Sequence, residues 1–464
     1  MKRMLSQGGW IESIAAARLS RPGAVLALFA GAALALPLAV QPALAHPPGV
    51  TERVSVSTAG VAGDDDSIHA AVSGNGRYVA FLSRASTLVP GDTNGSSDVF
   101  VRDRVAGTTE RVSVDSRERQ GTGGEAGGVL DSNFGLPALS ADGRYVAFVS
   151  SETNLVKGDR NNVPDVFVRD RVAGTTERVS VSGRKVQANS DSSDPAITPD
   201  GRFVAFSSFA DNLVPGDTNF TSDVFVVDRA ATTLAPERVS LSNTGAQAEN
   251  SSDVPSISAD GRFVAFASAA DTLVPNDNDG ATDVFVRDRV AGTTEGISVA
   301  PTPSGFGNTS TSPAITPDGR SVAFSSWEPD LVPGDTNNSY DIFVRDRSTG
   351  TLERVSLTDA GAQGDDWSLG PAISSDGHLV AFSSLAKNLV AGDNNFDFDV
   401  FVRDRTAGTT VRASVRTDGT EGGLSLGSFN VAMSADGSVL AFESEADLVP
   451  GDTGFPVDVY THVH

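Results

Sequence analysis

One six-residue phrase constrains this chain more than any other feature. Gly76-Arg-Tyr-Val-Ala-Phe81 returns, with small changes, at Gly143–Phe148, Gly201–Phe206, Gly261–Phe266, Gly319–Phe324, Gly377–Phe382 and Gly437–Phe442. The copies start 58 to 67 residues apart. A period of this size means one supersecondary unit copied and stacked. Each copy also carries Asp-Val-Phe or a close variant 22 residues after its glycine, or 21 in the last.

The third copy spells out the unit. Asp194–Thr198 reads as a short strand, Pro199-Asp-Gly201 as a tight turn and Arg202–Ser207 as a second strand. Asp223–Asp228 and Glu237–Leu241 follow as a third and a fourth. The middle two are almost continuously apolar, the pattern of strands covered on both faces. Asp-Gly supplies the positive φ values that a short hairpin needs. Four antiparallel strands make a propeller blade. The expected fold is therefore all-β, a seven-bladed β-propeller of four-stranded antiparallel blades. The seventh copy has no fourth strand of its own, while Thr51–Val56 stands spare ahead of the first. The N-terminal strand 51–56 is expected to complete the last blade and close the ring without an open edge.

Ser/Thr-Pro-Asp-Gly-Arg, an apolar Val-Ala-Phe strand and then Asp-Val-Phe-Val-Arg-Asp resemble the WD-like repeat of TolB-type bacterial propellers. Thr198–Arg202 and Thr316–Arg320 match the turn in full, whereas Ala141–Arg144 and Ala259–Arg262 lack its proline. Gly74–Arg77 lacks the aspartate as well, and the last two turns lack the arginine. The resemblance covers residues 51–464 and implies the fold. The family's namesake carries a separate N-terminal domain ahead of its propeller. A leader takes that place here, so the role is not carried over.

That leader is a different text. Lys2, Arg3, Arg18 and Arg21 precede an apolar run from Gly23 to Val40, and Ala43-Leu-Ala45 offers small residues at a cleavage site. Residues 1–45 read as a signal peptide, the alternative being an uncleaved anchor, and 46–464 as the propeller. No second apolar run follows, so an exported monomer without a membrane span after cleavage is expected, in the periplasm, the cell envelope or the exterior. Cysteine is absent, which excludes disulfides and thiolate chemistry. The net charge of −24, with no basic patch, argues against nucleic acid.

Between its second and third strands each copy has a connection far longer than a hairpin needs. Six share Asp-x-Asn/Asp-x-x-x-Asp: Asp92, Asn94 and Asp98; Asp159, Asn161 and Asp165; Asp217, Asn219 and Asp223; Asp277, Asp279 and Asp283; Asp335, Asn337 and Asp341; Asp393, Asn395 and Asp399. The seventh weakens to Asp452, Gly454 and Asp458. Calcium, a hard cation that takes six to eight oxygens, fits such a ligand set, although the closing glutamate of an EF-hand loop is missing. The competing reading is Asx-turn scaffolding, with Asp98 capping the third strand. Arg102-Asp-Arg104 and its repeats read as salt bridges between neighbouring blades.

No catalytic constellation stands out. The five histidines lack metal-ligand spacing except His462 and His464, where fraying of the C-terminus is expected. Gly423-Leu-Ser425-Leu-Gly427 matches a nucleophile elbow without the helix that such a turn requires. The blade-to-blade crossovers lie on the same face as the acidic loops and diverge most, which is where binding is usually placed on a rigid frame. Trp367 and Phe306 are their candidate contact aromatics. The expectation is a non-enzymatic binding or interaction module with a protein or glycan partner on the crossover face and calcium as a structural ion. The alternative is a secreted carbohydrate-active hydrolase or lyase with carboxylates at the mouth of the central channel.

Overall fold

The strands on either side of each acidic loop are apolar on both faces, and the structure uses both. The computed structural model describes residues 49–123, 136–278, 280–299, 309–423, 427–452 and 455–464. The leader 1–45, Asp279 and Phe306 lie outside them, as does Ser425 of the elbow pattern. The described residues form seven four-stranded antiparallel sheets. In the third, Ser192–Ile197, Phe203–Ser208, Asp223–Asp228 and Glu237–Arg238 pair in chain order. The protein is a seven-bladed propeller, with the first strands of adjacent blades neighbouring one another around the axis.

Each interface joins a large face to a small one. Phe206 pairs with Phe225 across the second and third strands, their rings stacked 5.8 Å apart. With Val204 they pack against Ala147, Val149, Val166 and Val168 of the blade before. The opposite face of the same strands offers Ala205, Val224 and Val226 to Val264, Phe266 and Phe285 of the blade after. The ring pair recurs in every blade, as Phe442 and Tyr460 in the seventh. Large against small lets the sheets interdigitate at crystal-like density, and each fully buried ring contributes about 2 kcal/mol of transfer free energy.

The seventh blade is completed by the other end of the described chain. Thr51–Arg53 pairs antiparallel with Asp458–Val463, Thr51 opposite His462 and Arg53 opposite Tyr460. The strand is shorter than the expected 51–56. Val54 N–H still donates to the Val459 carbonyl at 2.8 Å, but the chain then turns, Gly60 N–H donating to Ser57 at 2.9 Å. The expected fraying of the C-terminus is not found. His462 is buried between strands on both sides, 2.9 Å from the Thr51 hydroxyl.

A second device sits on the face of the Asp-Gly turns. Arg229 ends a third strand; it donates to the carbonyl of Gly201 in its own blade and to Glu177 of the preceding blade at 2.7 Å. Its guanidinium also covers the Tyr145 ring of that blade, 4.4 Å from the centroid. The ring lies so close to Gly201 that a Cβ there would come within 2.1 Å of it. Only glycine fits, and its φ of +73° suits glycine as well. Equivalent Arg–Glu pairs join Arg104, Arg171, Arg289, Arg347 and Arg405 to Glu52, Glu110, Glu237, Glu295 and Glu353. At the remaining interface both members change together, to His464 and Val411. The middle aspartate of Arg-Asp-Arg works within its blade: Asp170 takes a two-pronged contact from Arg144 at 3.0 and 2.7 Å.

A lysine cannot make the fork, the stack and the carbonyl contact at once. Arg229→Lys is therefore expected to cost about 1 kcal/mol, read as a lower midpoint in a thermal or denaturant melt, with an unchanged midpoint counting against this lock.

Candidate functional site

In the first blade the repeated aspartates meet a side chain that the loop pattern does not contain. Arg111, from the fourth strand, donates to Asp98 Oδ2 at 2.9 Å and lies 3.0 Å from Asp92 Oδ1. Asn94 turns its amide nitrogen to Asp98 at 3.0 Å, and the Ser113 hydroxyl donates to the other oxygen at 2.5 Å. Ser113 in turn accepts the N–H of Val99, which ties the start of the third strand to the fourth. The arrangement repeats with Arg178 on Asp159 and Asp165, Arg238 on Asp217 and Asp223, and Arg354 on Asp335 and Asp341. Arg412 serves Asp393 and Asp399, and Arg53 of the closing strand serves Asp452 and Asp458. Asn161, Asn219, Asn337 and Asn395 likewise donate to the aspartate four residues on.

Six of the loops thus hold a guanidinium between their aspartates. Burial still pushes several of these carboxyls up, Asp165, Asp341 and Asp458 among them, because one arginine is shared by two acids. Two loops differ. In the sixth, Glu421 joins Asp393 and Asp399, the three ligand atoms lying within 4.8 Å of one another. Arg412 sits among them, 2.8 Å from Glu421. Burial and the Asp399 charge push Asp393 up to about 6. In the fourth, Gly296 stands where the other fourth strands carry arginine.

The crossover face carries the aromatic surface. Among the described residues the exposed phenylalanines and tryptophans are Phe209, Phe220, Trp327, Trp367, Phe396 and Phe455. All six stand in crossovers or acidic-loop connections. Trp367 is joined by Trp327 at 6.3 Å and Tyr340 at 6.1 Å, and Trp327 meets Tyr340 at 5.3 Å. The backbone fixes this trio: Trp327 N–H donates to the Thr309 carbonyl at 3.0 Å, and Thr309 and Tyr340 hydroxyls are 2.5 Å apart. Trp327 and Tyr340 were not singled out from the sequence. The available signal was that tryptophan is used three times in the chain, with two copies in adjacent blades.

Phe220 and Phe396 stand at equivalent loop tips, 86% and 70% exposed, with φ of +60° and +62°. Gly95, Asn162, Gly280 and Asn338 take that left-handed position in four of the other blades. Glycine and asparagine visit it cheaply, whereas an exposed phenyl there is strained. The Phe396 ring carries the Lys387 ammonium 4.4 Å from its centroid.

Acids with raised carboxyls also stand on and beside the first strands, which neighbour one another around the axis. The first strands of six blades bulge, with left-handed residues at His69, Asp194, Val254, Ser312, Gly370 and Asn430. Glu443 accepts the His69 N–H across the junction of blades seven and one, and the Asn430 amide, each at 2.6 Å. Burial pushes Glu443 up to about 7 and His69 down to about 4. Asp194 rises to about 6, by burial first and then by the charge of Asp253.

No family model matches the chain, and no curated protein matches it. Among solved structures it is similar to an oligogalacturonate lyase from Vibrio parahaemolyticus at 13% identity, covering 89% of this chain and 93% of that one, with a TM-score of 0.53. It is also similar to a puromycin-hydrolyzing peptidase from Mycobacterium tuberculosis, at 16% identity, 89% and 56% coverage and a TM-score of 0.51. TolB from Acinetobacter baumannii matches at 15% identity and a TM-score of 0.38, this chain spanning 59% of its length. Such distances speak for the propeller fold alone.

Phe220→Gly is expected to raise stability by about 1 kcal/mol, the left-handed penalty less the added chain entropy of glycine, and Phe396→Gly by less, since it also loses the Lys387 contact. A lowered melting midpoint in either variant would show that the ring packs. The raised Glu443 carboxyl holds its proton more tightly in the folded chain than in the unfolded one. Its stabilisation is complete below the ordinary glutamate range and is lost as pH rises through about 7. Buried His69 and His462 act in the opposite sense over the same range, so the contribution is read as a difference: from pH 5 to pH 8 the midpoint of Glu443→Gln should rise relative to that of the original protein, and an unchanged difference would remove Glu443 as a source.

Proposed function

We propose that this chain is an exported, non-enzymatic binding module, a rigid propeller that docks a protein or glycan partner on its crossover face. The turn motif resembles that of TolB-type propellers, and the apolar N-terminal segment supports export. One observation carries the binding reading: six exposed phenylalanines and tryptophans on a single face, two of them at loop tips whose backbone disfavours them. Aromatic side chains with few torsions supply large contact area at low entropic cost, so they concentrate where partners dock. A Trp–Tyr–Trp cluster suits either partner class, since indole and phenol rings pack on protein side chains and on the apolar faces of sugars.

A photo-crosslinking amino acid at position 220 or 396 tests this in producing cells. Position 172, an exposed valine on the turn face, is the control. Cross-links should form from 220 and 396 to a common partner or glycan and be absent from 172. The reverse pattern would overturn the assignment.

Calcium enters the proposal at the fourth loop only. There the sequence offers the carboxylates of Asp277, Asp279 and Asp283 where five of the other loops have two and an asparagine. An ion held only by the folded state at about a thousand times its Kd adds roughly 4 kcal/mol. Thermal melts in millimolar Ca²⁺ and in EDTA should therefore differ, and the difference should vanish on Asp283→Ala. A calcium shift that survives that change would place the ion elsewhere, and no shift would end the calcium proposal.

A further inference from the structure

The opposite face repeats one slot around the ring, and a single blade leaves it unfilled. In blades one to four a ring (Tyr78, Tyr145, Phe203 or Phe263) lies between two guanidiniums. One comes from its own turn arginine, 4.6 to 4.9 Å from the ring centroid. The other comes from the next blade, at 4.4 to 5.2 Å. The floor of each slot is the next blade's turn glycine, where a Cβ would stand 2.1 to 2.4 Å from the ring. Blades six and seven fill the position with Leu379 and Val439, a Cβ on the facing glycine standing 2.4 and 2.6 Å from them.

Blade five has Ser321 there. Its walls are unchanged. Arg320 donates to Asp346 at 2.7 Å as its counterparts do, and Arg405 keeps its contacts to the Gly377 carbonyl and to Glu353, the latter at 2.6 Å. A Cβ on Gly377 would meet only the Ser321 hydroxyl at 3.3 Å and Arg405 at 3.6 Å. The result is a crevice of about 280 Å³ lined by Arg320, Arg405, His378 and the carboxylates of Asp318, Asp346 and Glu353. A crevice of about 240 Å³ also lies between blades one and two, but there Tyr78 occupies the slot. The distinguishing feature is the missing ring, not the volume.

We propose that this crevice between blades five and six receives an aromatic side chain, a tyrosine or phenylalanine presented by a partner protein, in the place of the ring that Ser321 lacks. The two guanidinium planes are already held by their own hydrogen bonds, so the binding geometry is preorganised. They call for a π face between them, which a sugar ring does not have. The surrounding carboxylates disfavour the phosphate that a nucleobase would bring. This inference is independent of the crossover face, because it uses the other side of the disc and different residues.

Saturation-transfer NMR on the purified protein tests it with N-acetyl-L-tyrosinamide as the probe. Saturable binding is expected with a Kd of about 1 mM, the scale for a small preorganised site. Ser321→Tyr supplies the ring internally and should weaken binding roughly ten-fold or more while raising the melting midpoint. Ser321→Ala should leave binding intact. N-acetyl-L-leucinamide should bind several-fold more weakly than the tyrosine probe. The proposal is overturned if tyrosinamide shows no saturable binding, if Ser321→Tyr binds it as the original protein does, or if the leucine probe binds equally well.

Discussion

One contact orders the interfaces between blades, in full at four of the seven: a guanidinium that touches its own blade's turn and the previous blade's ring and carboxylate together. It accounts for the phrase that dominates the sequence. Glycine is required because the neighbouring ring leaves no room for a Cβ, as Gly201 shows against Tyr145. Arginine at the next position pairs within the blade, and the aromatic after it is what the following blade covers. The apolar Val-Ala-Phe that completes the phrase builds the large and small faces that stack. Individual surface ion pairs are worth little. This one gains from the fixed geometry of a bidentate fork lying on a ring.

Much of this was legible because a repeat states its own alignment. The period, the strand pairs, the closure by residues near 51 and the inter-blade use of the last arginine in Arg-Asp-Arg could be read by laying copies over one another. What could not be read was anything that joins positions distant in the unit. The arginine that bridges the acidic loops lies 13 residues beyond the second aspartate, as Arg111 does from Asp98, in a strand that looked merely polar. The left-handed tips at Phe220 and Phe396 were hidden because a phenylalanine gives no turn signal, unlike its counterparts Gly95 and Asn162. Trp327 and Tyr340 are 13 residues apart and met Trp367 only after folding. The C-terminal His462 looked like a tail, yet it is an inner rung of a closed sheet.

The two faces of the disc divide the labour. The turn face is charged, with its arginines and aspartates mutually satisfied, and its departure at Ser321 stands out because the surrounding pattern is so regular. On the crossover face the loops are stiffened at their bases by Arg–Asp–Asp clusters, so exposed aromatics are carried on short, anchored tips. A stiff scaffold limits the entropy lost on docking, which lets a modest aromatic surface bind usefully. Between the faces, the buried Glu443 carboxylate is held by the backbone N–H of His69 at an inner-strand bulge.

The chain supplies its own reporter for the central claim. Outside the leader its tryptophans are Trp327 and Trp367, and both sit in the crossover-face cluster. The measurement is the tryptophan emission of protein freed of residues 1–45, titrated with any partner whose binding is established by an independent mass-based assay. The account predicts a saturable change in emission whose midpoint matches the binding curve. A partner that binds in full, and equally well to the Ser321→Tyr variant, while leaving the emission unchanged would contradict the placement of the binding face.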